Sequence, residues 1–142
     1  MSILIVAEHD NKNLHPVTLS VLNAARAFSG PVSLLVIGHQ CQAVVEQATK
    51  TEGVNLVLVL DSPRYENFLA EWLTPVIAQI GSSYSLILAP ATTFGKNILP
   101  RVAAKLDVAQ ISDVTAVIDE NIFEHPIYAG NAIATVQSID AK

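Results

Sequence analysis

The chain has 142 residues, enough for one well-buried core and too few for two ordinary domains. Hydrophobic residues make up 51% of it and charged residues only 15%, against roughly 25% charged in an ordinary globular chain. The net charge of −5 and the scatter of the eight Lys and Arg residues exclude nucleic acid as a partner, because phosphates require clustered basic side chains.

Ile3 to Ala7 is a continuous apolar run, the pattern of a strand covered on both faces. A polar loop from Glu8 to His15 ends in Pro16, which a first helical turn tolerates. Leu14, Thr18, Val21, Leu22, Ala25 and Phe28 then recur at three- and four-residue steps and share one helix face. Ser29-Gly30-Pro31 stops this helix, and Val32 to Ile37 is the second strand, closed by Gly38. Cys41, Val44, Val45 and Ala48 form a short helical stripe, Glu52-Gly53 breaks it, and Val54 to Leu60 is the third strand. After the Asp61-Ser62-Pro63 turn come Phe68, Leu69, Trp72, Leu73, Val76, Ile77 and Ile80, the strongest amphipathic pattern in the chain. Pro75 inside that pattern predicts a kink or a split. Trp72 is taken as part of the apolar stripe. Gly81 ends the helix, Leu86 to Ala89 is the fourth strand, and Ile98, Leu99, Val102, Ala103 and Leu106 mark a fourth helix with Pro100 in its first turn.

Strand and helix alternating at this spacing predict right-handed crossovers and an open parallel sheet. An order of 3-2-1-4-5 would reverse the winding between the first and fourth strands, and a crevice opens at such a reversal. The loops Glu8–His15 and Pro90–Asn97 would face each other across it. After Asp107 the rhythm changes: Val114–Ile118, Ile122–Tyr128 and Ala132–Gln137 are separated by turns at 119–121 and 129–131. Connections this short require antiparallel pairing, and Pro126 places the middle run at an edge or a bulge.

Gly95-Lys96-Asn97 follows a strand and opens a helix, as a phosphate loop does. A Walker loop needs a glycine five residues before the Gly-Lys pair and a Ser or Thr after it; those places hold Pro90 and Asn97. What remains is a weaker set, Thr92, Thr93, Lys96 and Asn97, beside the free N–H groups of a helix start, which could hold an anion. The competing reading is a capped loop whose hydroxyls satisfy its own backbone. Glu8, His9 and Asp10 could serve as acid and base, yet adjacent residues point apart and no nucleophile stands nearby, so a polar rim is the simpler reading. His9, His15, His39 and His125 lack metal-ligand spacing, and no metal is expected. Cys41 sits among apolar helical positions and reads as a buried structural thiol. The dinucleotide fingerprint Gly-x-Gly-x-x-Gly is absent after the first strand, where the chain reads Ala7-Glu8-His9-Asp10-Asn11-Lys12, and so is the Ser-Gly-Gly loop of ATP pyrophosphatases. No catalytic residue is assigned, and the chain is not expected to be an enzyme on its own.

No apolar stretch approaches the roughly 20 residues that cross a bilayer. The start of the sequence lacks the features of a signal peptide, and one cysteine cannot form an internal disulfide; together these point to the cytoplasm. The shortage of charge predicts that part of the surface is covered by a partner or a further domain, and that the chain alone self-associates.

Longer blocks of sequence carry a resemblance. Leu4-Ile5-Val6-Ala7-Glu8-His9 opens the chain as electron transfer flavoprotein alpha subunits open. Leu88-Ala89-Pro90-Ala91-Thr92-Thr93-Phe94-Gly95-Lys96-Asn97 resembles that family's central signature, followed by Pro100-Arg101-Val102-Ala103-Ala104 and by the run from Asp107 to Val114. Pro126-Ile127-Tyr128-Ala129-Gly130-Asn131-Ala132 completes the likeness, which is to the amino-terminal domain of the subunit, over residues 1–142. The resemblance implies an α/β fold with an open, Rossmann-like parallel sheet of the adenine nucleotide alpha hydrolase type, ending in antiparallel strands. It implies FAD in the full heterodimer, held mostly by a carboxy-terminal domain to which nothing here corresponds, and so no flavin in this chain. It also implies a beta subunit of similar fold, which in several members holds AMP. The complete carrier would take electrons from flavin dehydrogenases such as those acting on acyl-CoA, in fatty acid beta-oxidation, and pass them to a membrane-bound quinone oxidoreductase. The alternative is a free-standing adenine-nucleotide module like the universal stress proteins, whose Gly-x-x-Gly signature Thr92-Thr93-Phe94-Gly95 does not supply.

Overall fold

The computed structural model describes residues 2–28, 30–108, 110, 116–119, 122–127 and 132–137. Four strands form a parallel sheet in the order β3-β2-β1-β4: β1 (Ile3–Val6), β2 (Val32–Gly38), β3 (Leu56–Asp61) and β4 (Leu86–Leu88). The central pair is in register from Ile3 opposite Val32 to Val6 opposite Leu35, and β4 sets Leu88 against Ile5 on the other side.

Side chains alternate across a strand, so β1 and β2 each supply two separate cores. Ile3, Ile5, Leu34 and Val36 pack under α1 (Val17–Ala25) and α2 (Gln42–Thr49), through Leu22, Ala25, Val44 and Ala48. Leu4, Val6, Leu35 and Ile37 pack under α3 (Ala70–Gly81) and α4 (Thr93–Leu106), through Leu73, Ile77, Ile98 and Val102. The helices thus cover both faces, which explains why β1 is apolar throughout and β2 is apolar apart from the buried Ser33. β3 is an edge strand, and there Leu56 and Val59 stay 52% and 42% exposed.

The sheet order reproduces the first four strands of the expected 3-2-1-4-5 winding, with the reversal between β1 and β4, but among the described residues no fifth strand joins this sheet. Local expectations at Pro100 and Trp72 are corrected, and that at Pro75 is narrowed. Pro75 does not split its helix: α3 runs unbroken with the proline as its sixth residue. Pro100 is not in a first turn but is the eighth residue of α4. That helix starts early because Thr92 caps it, its hydroxyl accepting the Gly95 N–H. Trp72 is not core: it is 47% exposed, with the Arg64 guanidinium 5.3 Å from its ring centre.

A second sheet of three antiparallel strands follows, in the order β5-β6-β7: β5 (Ala116–Asp119), β6 (Ile122–Ile127) and β7 (Ala132–Gln137). Pro126 therefore lies on a middle strand, opposite Ile133 of β7, while the described pairing with β5 ends at Glu124. Among the described strands the middle run is thus central rather than at the edge that Pro126 leads one to expect. Ser29, the strand start at 114–115, the turn residues 120–121 and 129–131, Tyr128, and most of the run 107–114 lie outside the described residues.

Candidate functional site

The crevice between β1 and β4 is rimmed by the two loops that the winding brings together. Glu8 leaves β1 with its backbone clasped by Thr18 of α1: the Glu8 N–H donates to Thr18 Oγ1 (3.2 Å), and that hydroxyl donates to the Glu8 carbonyl (3.3 Å). Thr18 is fully buried, so this grip is shielded from water. The Glu8 side chain then spans the crevice. Thr92 Oγ1 donates to Glu8 Oε1 at 2.5 Å, the short geometry of a hydroxyl on a carboxylate. His15 Nε2 lies 3.6 Å from the other carboxylate oxygen.

On the far rim, Thr92 both caps α4 and ties it to β1. Its hydroxyl takes the Gly95 N–H (3.4 Å), and its carbonyl takes the Lys96 N–H (2.8 Å). Gly95 is buried against the Pro90 carbonyl, and a Cβ there would overlap that oxygen. The glycine thus serves close packing of the helix on the preceding turn. Thr93, Lys96 and Asn97 are exposed on the first turns of α4, and Thr92 is half-buried beneath them.

Glu8, His9 and Asp10 occupy one loop but do three different things. His9 is 8% exposed; Nε2 lies 2.9 Å from the Ile37 carbonyl, and Nδ1 accepts the Asn11 N–H at 3.0 Å. Its ring meets Phe68 edge-on at 5.0 Å, and Phe68 meets Phe94 of α4 at 6.4 Å in the same manner. Burial holds the His9 imidazole below its ordinary pKa. The Asp10 carboxylate accepts the N–H groups of Asn13 and Lys12, which hold its pKa below the usual range. The three side chains converge on no common point of chemistry.

A second staple lies at the ends of β2 and β3. Asp61 accepts the N–H of Gln40 (2.9 Å) and of Cys41 (3.2 Å), and these donations lower its pKa. Cys41 is fully buried at the start of α2 rather than within it, its Sγ 3.6 Å from Asp61 Oδ2. Burial and the adjacent carboxylate push its thiol up, so it is kept protonated and unreactive. Among the described residues no group of three His, Cys, Asp or Glu side chains could hold a metal ion. No helix is long and apolar enough to cross a membrane, again among the described residues. A surface hollow of about 390 Å³ beside α1, lined by Leu19, Leu22, Asn23, Arg26 and Glu52, shares no residue with the crevice.

Sequence reasoning placed the two facing loops but missed Thr18, Asn11 and Phe68. Thr18 shares the period of an apolar stripe, and nothing in that pattern marks its clasp on Glu8. Asn11 and Phe68 adopt positive φ (72° and 54°), and no glycine marks either place.

Residues 3–142 match the family described as electron transfer flavoprotein domain. The chain belongs to the electron transfer flavoprotein family. It is 54% identical over 138 residues to the electron transfer flavoprotein subunit alpha of Pseudomonas aeruginosa, covering 97% of this chain and 45% of that protein. It is 47% identical to the mitochondrial alpha subunit of Dictyostelium discoideum (96% and 41%) and 44% identical to the alpha subunit of Paracoccus denitrificans (100% and 46%). The chain therefore spans less than half the length of these relatives. Family members of this kind are flavoproteins that carry electrons, and the open parallel sheet with helices on both faces agrees with the fold expected from the sequence.

Proposed function

We propose that this chain is the amino-terminal domain of an electron transfer flavoprotein alpha subunit and acts as its non-catalytic scaffold. In this reading it packs against a beta subunit, while FAD is gripped by a further domain of the complete subunit and any AMP by the beta subunit. The assembled carrier moves electrons from flavin dehydrogenases, including acyl-CoA dehydrogenases, to a quinone oxidoreductase at a membrane. Bound flavin would supply the one-electron chemistry, and the protein its placement and tuning.

The observation that carries the scaffold part of this reading is the Glu8–Thr92 bond. The crevice at the winding reversal is where related sheets take a nucleotide. Here a carboxylate reaches across it to the cap of α4, the place a phosphate would need. The Gly95 N–H is engaged by Thr92, and the space above Gly95 is filled by the Pro90 carbonyl. A diphosphate at this point would meet a negative charge and no open glycine backbone, so the described residues do not fit FAD or ATP there. Thr92, Thr93, Lys96 and Asn97 are accordingly the rim of a self-closed crevice. The exposed Leu56, Leu69 and Trp72, together with the low charge, support a surface that a partner covers, and through which the chain alone self-associates. The single, buried cysteine is in keeping with a reducing compartment such as the cytoplasm; relatives from Dictyostelium discoideum and Caenorhabditis elegans are named as mitochondrial.

Calorimetric titration of the 142-residue chain with FAD, AMP and ATP tests the closed crevice. No saturable heat at micromolar ligand is expected. Micromolar affinity for AMP or ATP would instead favour a free-standing nucleotide module, and tight FAD binding would overturn the scaffold reading.

A further inference from the structure

At the carboxyl end of the sheet one side chain holds three loops together. Asn11 donates its N–H to His9 Nδ1 (3.0 Å) and accepts the His39 N–H on Oδ1 (2.9 Å). Its Nδ2 donates to the Glu66 carbonyl (3.1 Å). It thereby joins the β1–α1 loop, the β2–α2 loop and the segment after the 3-10 turn Pro63–Tyr65. Its φ of 72° lies in the left-handed region, which a non-glycine residue keeps only when its surroundings hold it.

What holds it is the state of His9. The Ile37 carbonyl can only accept, so the proton of the neutral ring sits on Nε2. The Asn11 N–H can only donate, so Nδ1 must be bare. Both nitrogens are committed, and only one tautomer of one charge state satisfies both. A proton taken from solvent onto Nδ1 would set N–H against N–H at 3.0 Å, while the bond to Ile37 would survive and strengthen. Room for adjustment is small: a Cβ on Gly38 would already come within 2.7 Å of His9 Cε1.

We propose that His9 is the pin of a proton-sensitive clamp, in which protonation of its imidazole releases Asn11 and loosens the three loops while the parallel sheet stays folded. The groups around it set the direction. Phe68 offers an aromatic ring, and Ile37 and Gly38 bring no charge. Asp10 favours the cation, but burial outweighs it. Glu8 is turned to Thr92 and His15; His39 lies 3.7 Å from Asp61; Glu66 contributes its carbonyl. Because the folded-state pKa is depressed, the stabilisation from neutral His9 is complete above about pH 6.5 and is lost as pH falls through the lower folded value.

Amide hydrogen exchange of the full 142-residue chain, followed by NMR from about pH 7.5 to about pH 4.5 and corrected for intrinsic rates, tests this. The Asn11 and His39 amides are expected to lose roughly tenfold or more of their protection at the midpoint of the His9 ring resonances. Leu34 and Leu35 of β2 should keep theirs. His9→Gln, which offers one donor and one acceptor without titrating, should abolish the loss, and His39→Gln should leave it in place. Flat protection at Asn11 and His39 through the His9 titration would overturn the clamp. So would simultaneous loss at Leu34 and Leu35, or the same loss in His9→Gln. If His9→Gln does not fold, the wild-type comparison of clamp and sheet amides decides alone.

Discussion

Replacing Gly95 by alanine is expected to lower the stability of this chain by about 3 kcal/mol, read as a fall in the urea midpoint at unchanged slope. The added Cβ would overlap the Pro90 carbonyl oxygen and approach its carbon to 2.9 Å. Both atoms are backbone, so no rotamer change can relieve the contact. The start of α4 would have to withdraw from the turn after β4, and that movement also pulls Thr92 from Gly95 and from Glu8. Gly53→Ala is the matched control. Gly53 lies in open space, and only its φ of 93° is costly to alanine, so a loss of about 1 kcal/mol is expected there. Equal effects at the two positions would mean that Gly95 is required for its conformational freedom and not for close packing.

Ile5→Ala should cost about 4 kcal/mol. Ile5 is fully buried in the central strand, in register with Leu34 on one side and Leu88 on the other. It belongs to the cluster under α1 and α2, where Leu22, Val44 and Ala48 meet the sheet. Rigid strands on both sides cannot collapse into the space left, so the cavity penalty adds to the lost transfer free energy. At edge positions the same chemistry should cost far less. Val59→Ala, where the side chain is already 42% exposed, is expected to change stability by less than about 1 kcal/mol.

The sheet was legible because its signal is repeated. Apolar runs from Ile3 and from Val32, the second broken only by Ser33 and separated from the first by a helix-period stripe, permit few arrangements other than parallel strands between helices. That topology alone sets the Glu8 and Thr92 loops facing each other across the reversal. Detail failed where a single interaction overrode local propensity. Pro100 would begin a helix if nothing earlier capped one, but Thr92 does. Trp72 shares the period of Leu73 and Ile77, yet it lies at the margin of the buried arc, where its ring meets Arg64 and solvent. The Asn11 clamp left no trace in the sequence, because only His9 lies beside Asn11 in its own loop, while His39 and Glu66 come from loops distant along the chain. Each of its bonds has a main-chain group on one side, which nearly any residue type would supply.

The resemblance to alpha subunits and the closed crevice bear on different points. Family membership says which sequences the chain is related to. The Glu8–Thr92 bond accounts for why a nucleotide-type sheet would serve there as support: the carboxylate provides internally the negative group that a helix start attracts.

The scaffold role is tested most directly by mixing the 142-residue chain with its cognate beta subunit and measuring mass by light scattering after size exclusion. The account predicts a stable one-to-one complex that displaces any self-association of the chain. Two proteins that elute separately, with the chain unchanged by the presence of the beta subunit, would contradict it.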